Sequence, residues 1–258
     1  MGRRLWTTDE MKVTLSLYFQ LPFGRLNHTT REVRELASII GRSENAVALR
    51  LVNFAACDPY IIESGRHGMS GGESICLPLF EQYCNHREEL FVEAEEIKAR
   101  MQDRTIEQTL GITDTDKIGT TIEALVKLRV NQHVFRTMIL NNYNNTCAVT
   151  GITIPKLLVA SHIIPWSAND PNRLNPENGI CLSPLYDKLF DQGFISVSPD
   201  DYTILLSKEL KAHKSQPYYS KHFGSVEHKP LILPSGIEHK PNPTFLEYHN
   251  EHIFAKHN

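Results

Sequence analysis

The chain has no apolar run of membrane-spanning length. No secretory leader is expected, since no segment resembles one: Arg3 and Arg4 are followed closely by Trp6, Thr7, Thr8, Asp9 and Glu10, with no apolar stretch behind them. Gly2 has tryptophan rather than Ser or Thr at position 6, so the myristoylation pattern fails. No membrane partner is expected. Cysteine is sparse: five residues, odd in number and scattered, favour reduced thiols over a disulfide framework, and with them a cytoplasmic location. There is no excess of positive charge. Twenty-seven Lys and Arg face 30 Asp and Glu, a net charge of -3, so any basic surface must be local. No internal repeat or low-complexity segment interrupts the chain.

What is present is an ordinary globular composition, 41% hydrophobic and 22% charged over 258 residues, which suits two modest domains better than one. The expected fold class is α+β. Residues 1–105 read as a helical domain, 106–130 as a polar linker broken by Gly111 and Gly119, and 131–258 as a second domain with a C-terminal extension.

The first third is punctuated by helix signals. Thr7 or Thr8 caps a helix with Asp9 and Glu10 in its first turn, and Pro22 and Gly24 end it. A second helix follows Thr29-Thr30 and stops at Gly41; a third follows Ser43. Helix, short glycine turn, helix is the spacing of a helix-turn-helix. The third helix is expected to expose Arg42, Asn45, Arg50 and Asn53. The pattern W-T-x-x-E, then L-A-x-x-I-G-R-S-x-x-A-V-x-x-R-L, resembles three-helix Myb- or homeodomain-like DNA-binding units. Charge does not decide the matter, because residues 1–75 hold nine Lys and Arg against eight Asp and Glu. A bundle that only packs is the competing reading.

Residues 61–74 form a glycine-rich segment whose backbone can approach a phosphate closely, with Arg66 and His67 beside it, or serve as a surface connector. It lacks the strand-loop-helix lysine context of a P-loop. Residues 84–101 read as a helix with Glu88, Glu89, Glu93, Glu95 and Glu96 on a solvated face. In the tail, 244–254 reads helical behind Pro243, with His249 and His252 as surface or DNA-facing residues.

Residues 131–143 read as a further helix. Beyond it the chain concentrates its chemistry. C-A-V-T-G at 147–151 and L-L-V-A-S-H-I at 157–163 are β-prone runs around Gly151 and Pro155, expected to pair as a hairpin. His162 closes the second run and Pro165 breaks it. A loop of turn formers leads to Asn178, sixteen residues beyond His162. Pro184 starts a short helix carrying Asp187 and Asp191, four apart and therefore on one face, and Gly193 ends it. The reading is β-β-α, with the chemistry at the strand-helix junction.

From about 135 to 197 the chain resembles the HNH endonucleases of the ββα-metal superfamily. The resemblance rests on A-S-H-I-I-P-W, P-E-N-G-I-C-L-S-P and Y-D-K-L-F-D-Q-G-F-I-S, and it points to the branch with carboxylates on the helix. It implies His162 as general base, since neutral imidazole titrates near working pH. It implies Asp187 as a metal ligand, Asp191 as a second, and Mg²⁺ or Mn²⁺ as the cation that hard oxygens suit. Asn178 matches the middle letter of the family name and is expected to tie the loop and orient His162. Arg173 is expected to hold a phosphate. Two departures stand out. The residue before the base is Ser161, a weak ligand, where many members carry Asp, Glu or His. The four positions that frame a structural zinc in several members are Cys147, Thr150, Ser183 and Tyr186, so no structural zinc is expected.

A recognition module joined to such a domain resembles bacterial restriction endonucleases, some of which cut only modified DNA. The expected function is a restriction or defence DNA endonuclease, with dependence on modified cytosine drawn from that architecture alone. Duplex cleavage by single-strand cutters implies a homodimer. The alternatives are a DNA-binding regulator with a degenerate nuclease fold, and a homing or nicking nuclease of a mobile element.

Overall fold

The computed structural model describes residues 4–69, 71–113, 121–168, 172–234 and 239–257. Parts of three expected features lie outside them: residue 70 of the glycine-rich segment, 114–120 of the linker (Gly119 included), and 169–171 of the loop before Asn178. The architecture is α+β and divides into two compact units, Met1–Val134 and Phe135–Asn258.

The first unit is helical. Helix α1 (Thr8–Tyr18) opens on a capping box: the Thr7 hydroxyl accepts from the Glu10 N–H at 3.2 Å, and the Glu10 carboxylate accepts from the Thr7 N–H at 2.9 Å. Helix α2 (Arg31–Ile40) ends at Gly41, which takes the left-handed conformation (φ 63°) that costs glycine nothing. Ser43 caps α3 (Glu44–Ala55), accepting from the Ala46 N–H at 3.3 Å. The next two helices were not foreseen. The short α4 (Pro59–Glu63) is capped by Asp58, and α5 (Glu73–Tyr83) carries Pro78 in its interior, where proline normally argues against a helix. Next come α6 (Arg87–Met101) and α7 (Ile106–Leu110), and then α8 (Ile122–Asn142), which begins in the first unit and ends in the second. Residues 106–110 and 122–130, expected in a linker, are therefore helical. Val33, Val47, Leu51, Phe54 and Leu90 sit fully enclosed at the centre, each stabilising the unit by about 1.5–3 kcal/mol on burial.

The expected outward face of α3 turns inward. Arg50 and Asn53 are buried, and the Arg42 side chain is nearly so; only Asn45 of the expected DNA-facing set on this helix is exposed. Arg42 donates to Glu10 Oε2 at 2.7 Å and to the Leu5 carbonyl at 2.6 Å, and lies over Trp6. Arg50 lies over Trp6 and reaches Cys76 Sγ, and the glycine-rich segment packs onto the C-terminal part of α3, over Asn53, rather than standing in solvent. A Cβ at Gly68 would lie 2.3 Å from the Ala56 nitrogen and 2.4 Å from the Val52 oxygen, so only glycine permits this approach. Asn53 donates to the Met69 carbonyl at 3.0 Å and closes the cover. Arg66 is half-buried over the Phe23 ring. On α6, Glu95 is buried and pairs with Lys98, and Glu93 accepts from Lys12 at 2.6 Å and Tyr83 at 2.8 Å, so the acidic face is only partly solvated.

In the second unit, β1 (Val159–His162) pairs antiparallel with β2 (Gly179–Leu182), with His162 opposite Gly179 and Ser161 opposite Ile180. This corrects the expected hairpin. Residues 148–150 form a turn, tied to β2 by one bond from the Ala148 N–H to the Cys181 carbonyl at 2.7 Å. Helix α9 (Pro184–Asp191) follows with Pro184 in its first turn and packs on β1 and β2. A second pair, β3 (Ile195–Val197) with β4 (Ile204–Leu206), comes next, then α10 (Lys208–Lys211) and α11 (Pro243–His252). Phe135, Ile139, Ile163, Ile180, Leu182 and Phe190 make the core beneath β1, β2 and α9.

His249 departs from its expected surface position. It is 1% exposed, stacks on Phe190 at 3.8 Å, donates from Nε2 to the Phe190 carbonyl at 3.0 Å, and pairs through Nδ1 with Ser196 Oγ at 2.8 Å. Desolvation drives its pKa down to about 4. His252 is exposed and stacks on Tyr248.

Candidate active site

Two adjacent residues of β1 serve two clusters, because successive strand side chains point to opposite faces. His162 belongs to the first. Its ring lies flat on Phe135, centroids 3.7 Å apart and planes 10° apart, and meets the edge of Trp166 at 5.5 Å. Its Nε2 lies 3.0 Å from the backbone carbonyl of Arg173. A carbonyl only accepts, so Nε2 carries the proton and Nδ1 holds the lone pair. Burial lowers the His162 pKa below the usual imidazole range, which keeps that lone pair available near neutrality.

The loop that presents the Arg173 carbonyl is fastened by Asn178, 1% exposed. Asn178 Oδ1 accepts from the Ile164 N–H at 2.8 Å, and Nδ2 donates to the carbonyls of Ile164 and Asn172, both at 3.2 Å. Its own carbonyl accepts from the Ile163 N–H at 3.0 Å. One amide thus holds both ends of the loop. The Arg173 side chain turns back on that loop, donating to the Trp166 carbonyl at 3.0 Å and lying over the Trp166 ring.

Gly179 sets the depth of β2. A Cβ there would fall 2.3 Å from Ile139 Cδ1 and 2.8 Å from Phe135 Cζ. Glycine therefore lets β2 settle onto α8 and leaves Phe135 in place beneath the His162 ring.

Ser161 belongs to the second cluster, with Asp187 and Asp191. The serine hydroxyl lies close enough to both carboxylates to draw their pKa values down, yet it is buried and makes no hydrogen bond of normal geometry. Desolvation raises the Asp187 pKa. Partial desolvation and then the Asp187 charge raise Asp191 to about 6. Two carboxylates one helical turn apart therefore repel each other beside an unsatisfied hydroxyl oxygen. These are hard oxygen donors with surplus negative charge, and they fit a divalent cation of the Mg²⁺ or Mn²⁺ type. Among the described residues no group of three or more His, Cys, Asp and Glu gathers as a metal site, so such a site here rests on the carboxylate pair and Ser161.

Cys147 Sγ accepts the Thr150 N–H at 3.4 Å and the Ser183 N–H at 3.1 Å, joining the turn before β1 to the start of α9. The candidate residues thus fall into a His162–Asn178–Arg173 group, a Ser161–Asp187–Asp191 group, and Arg42, Asn45, Arg50 and Arg66 in the first unit. Sequence reasoning missed the Arg173 carbonyl, the Phe135 stack and the Trp166 edge. Trp166 carried a signal, lying four residues after His162 in the same motif; a backbone carbonyl carries none.

A family model described as HNH endonuclease matches residues 147–198. That interval contains β1, the Asn178 loop, β2, α9 and β3, and hence both clusters. The match lies within the second unit and supports a nuclease activity in general. No curated protein matches the chain. Among the described residues no helix is long and apolar enough to cross a membrane.

Proposed function

We propose that the chain is a metal-dependent DNA endonuclease, with His162 as general base and Asp187 and Asp191, aided by Ser161, as the residues that hold a divalent cation. The observation that carries this reading is the pairing, at adjacent positions of β1, of an imidazole with a free Nδ1 lone pair and a repelling carboxylate pair beside an unsatisfied hydroxyl. His162 Nδ1 takes a proton from the attacking water while Nε2 stays bonded to the Arg173 carbonyl. The positive charge that develops on the ring is held by that carbonyl and the Phe135 face. Asn178 keeps the loop, and so the carbonyl, in place. A bound Mg²⁺ or Mn²⁺ supplies charge neutralisation on the phosphate and the leaving oxygen.

The role proposed is restriction or defence in the cytoplasm, with discrimination of modified cytosine and action as a homodimer on duplex DNA. Digestion of matched plasmids carrying unmodified, methylated, hydroxymethylated or glucosylated cytosine tests it. Cleavage confined to one modification supports the role. Equal cleavage of all four removes modification dependence, and no metal-dependent nicking of any sinks the nuclease reading.

A further inference from the structure

The first unit holds a cavity of about 640 Å³, the size of a small-molecule site, bounded by the N-terminal segment, α3 and the glycine-rich segment. Arg50 lines it, 8% exposed. Its Nε is buried with no partner, and its Nη1 reaches only Cys76 Sγ at 3.5 Å. Burial pushes the Cys76 thiol up, so this sulfur is no anion. Among the described residues no carboxylate pairs with Arg50. A buried guanidinium without a counter-charge is costly, which points to an anion supplied from outside.

The surrounding charge agrees. Arg4 and Arg42 also line the cavity, and both pair with Glu10. Three guanidinium groups against one carboxylate leave a positive surplus, which suits a phosphate group. The guanidinium carbons of Arg42 and Arg50 lie 4.3 and 4.9 Å from the Trp6 ring centroid, so any anion bound there sits beside an indole. The rim is apolar and unusually bare: Leu5, Leu49, Met69 and Ile75 are all exposed. A cationic floor beneath an apolar rim fits a ligand that is anionic at one end and flat and apolar at the other.

We propose that this cavity is a nucleotide pocket, in which Arg50 receives the phosphate and the exposed apolar rim receives the base. The expectation that the nucleotide is part of DNA rests on the nuclease reading; a free mononucleotide shares its two parts, a phosphate group and a flat base.

The test uses the full chain in a Trp166→Phe background, which leaves Trp6 as the sole tryptophan. Its fluorescence is titrated with deoxycytidine 5′-monophosphate, with deoxycytidine and with a short DNA oligonucleotide. The expected result is a saturable change with the monophosphate and binding at least about tenfold weaker for the nucleoside, as loss of a charge-assisted contact implies. Arg50→Met should weaken the monophosphate by about tenfold or more. Met69→Glu, at an exposed rim position that leaves the core untouched, should weaken it in the same direction. A Trp6 change with DNA that the monophosphate reverses makes DNA the source; a response to the monophosphate alone makes it the free nucleotide. No saturable change with any ligand, or equal affinity for nucleoside and monophosphate, overturns the pocket, as does unaltered binding in both variants. Nicking is assayed on the wild-type chain, which keeps Trp166 beside His162: nicking by it together with failed titrations removes the pocket and keeps the nuclease reading. Arg50-dependent binding with no nicking by the wild-type chain does the reverse.

Discussion

His162 donates from Nε2 to the backbone carbonyl of Arg173 at 3.0 Å, and this bond decides which nitrogen can act as a base. Protonation at Nδ1 leaves it intact. The His162 pKa is depressed by burial, so the neutral, base-competent ring is present above that lowered value and is lost as pH falls through it. A pH profile of nicking should show its acid limb below the ordinary imidazole range near 6.5. An imidazole limb above that range contradicts the assigned environment.

Asn178 should be intolerant of change. Asn178→Ala leaves the Ile164 N–H and two carbonyls without their buried partner, a loss of roughly 1–3 kcal/mol. Thermal denaturation reads the stability loss. Nicking should fall further than stability explains, because the Arg173 carbonyl is displaced. Full activity in a stable Asn178→Ala chain would show that the loop does not orient the base.

The carboxylate pair predicts an unusual stability pattern. Asp187→Ala removes a repulsion, so the metal-free chain should melt no lower than wild type. Added Mg²⁺ or Mn²⁺ should raise the melting temperature of wild type and leave Asp187→Ala unmoved. Asp191→Ala should retain a weaker response. Asp191 has a folded pKa near 6, so the metal-induced shift should shrink as pH falls through about 6. An equal metal response in all three proteins removes the proposed ligand set.

His249 supplies a pH test away from the site. It is buried neutral, with a folded pKa of about 4 against an ordinary 6.5. At high pH neither state binds the proton. As pH falls below 6.5 the unfolded chain takes it up first, so stability drains away down to about pH 4. The full loss is on the order of 3 kcal/mol. Denaturant titrations of wild type and His249→Gln across that window should differ in slope, with the variant flatter.

Local signals were readable in the sequence, and non-local pairing was not. The capping roles of Thr7 and Ser43, the stop at Gly41 and the start at Pro184 depend on neighbours a few residues away, and each was legible. So was the order of His162, Asn178, Asp187 and Asp191. The partner of β1 was not, because 147–151 and 179–182 are both short apolar runs and nothing local chooses between them. The burial of Arg50 was hidden for a similar reason. Arg50 lies over the Trp6 ring and reaches Cys76 Sγ, on segments far from it in the chain whose local patterns do not announce the contact.

The most direct test of the central claim is nicking of supercoiled plasmid by wild type and His162→Ala, with Mg²⁺ or Mn²⁺ and with chelator. The account predicts metal-dependent nicking by wild type and a rate lower by ~10²–10⁴-fold in the variant, with its fold and metal response retained. Undiminished nicking by His162→Ala contradicts it.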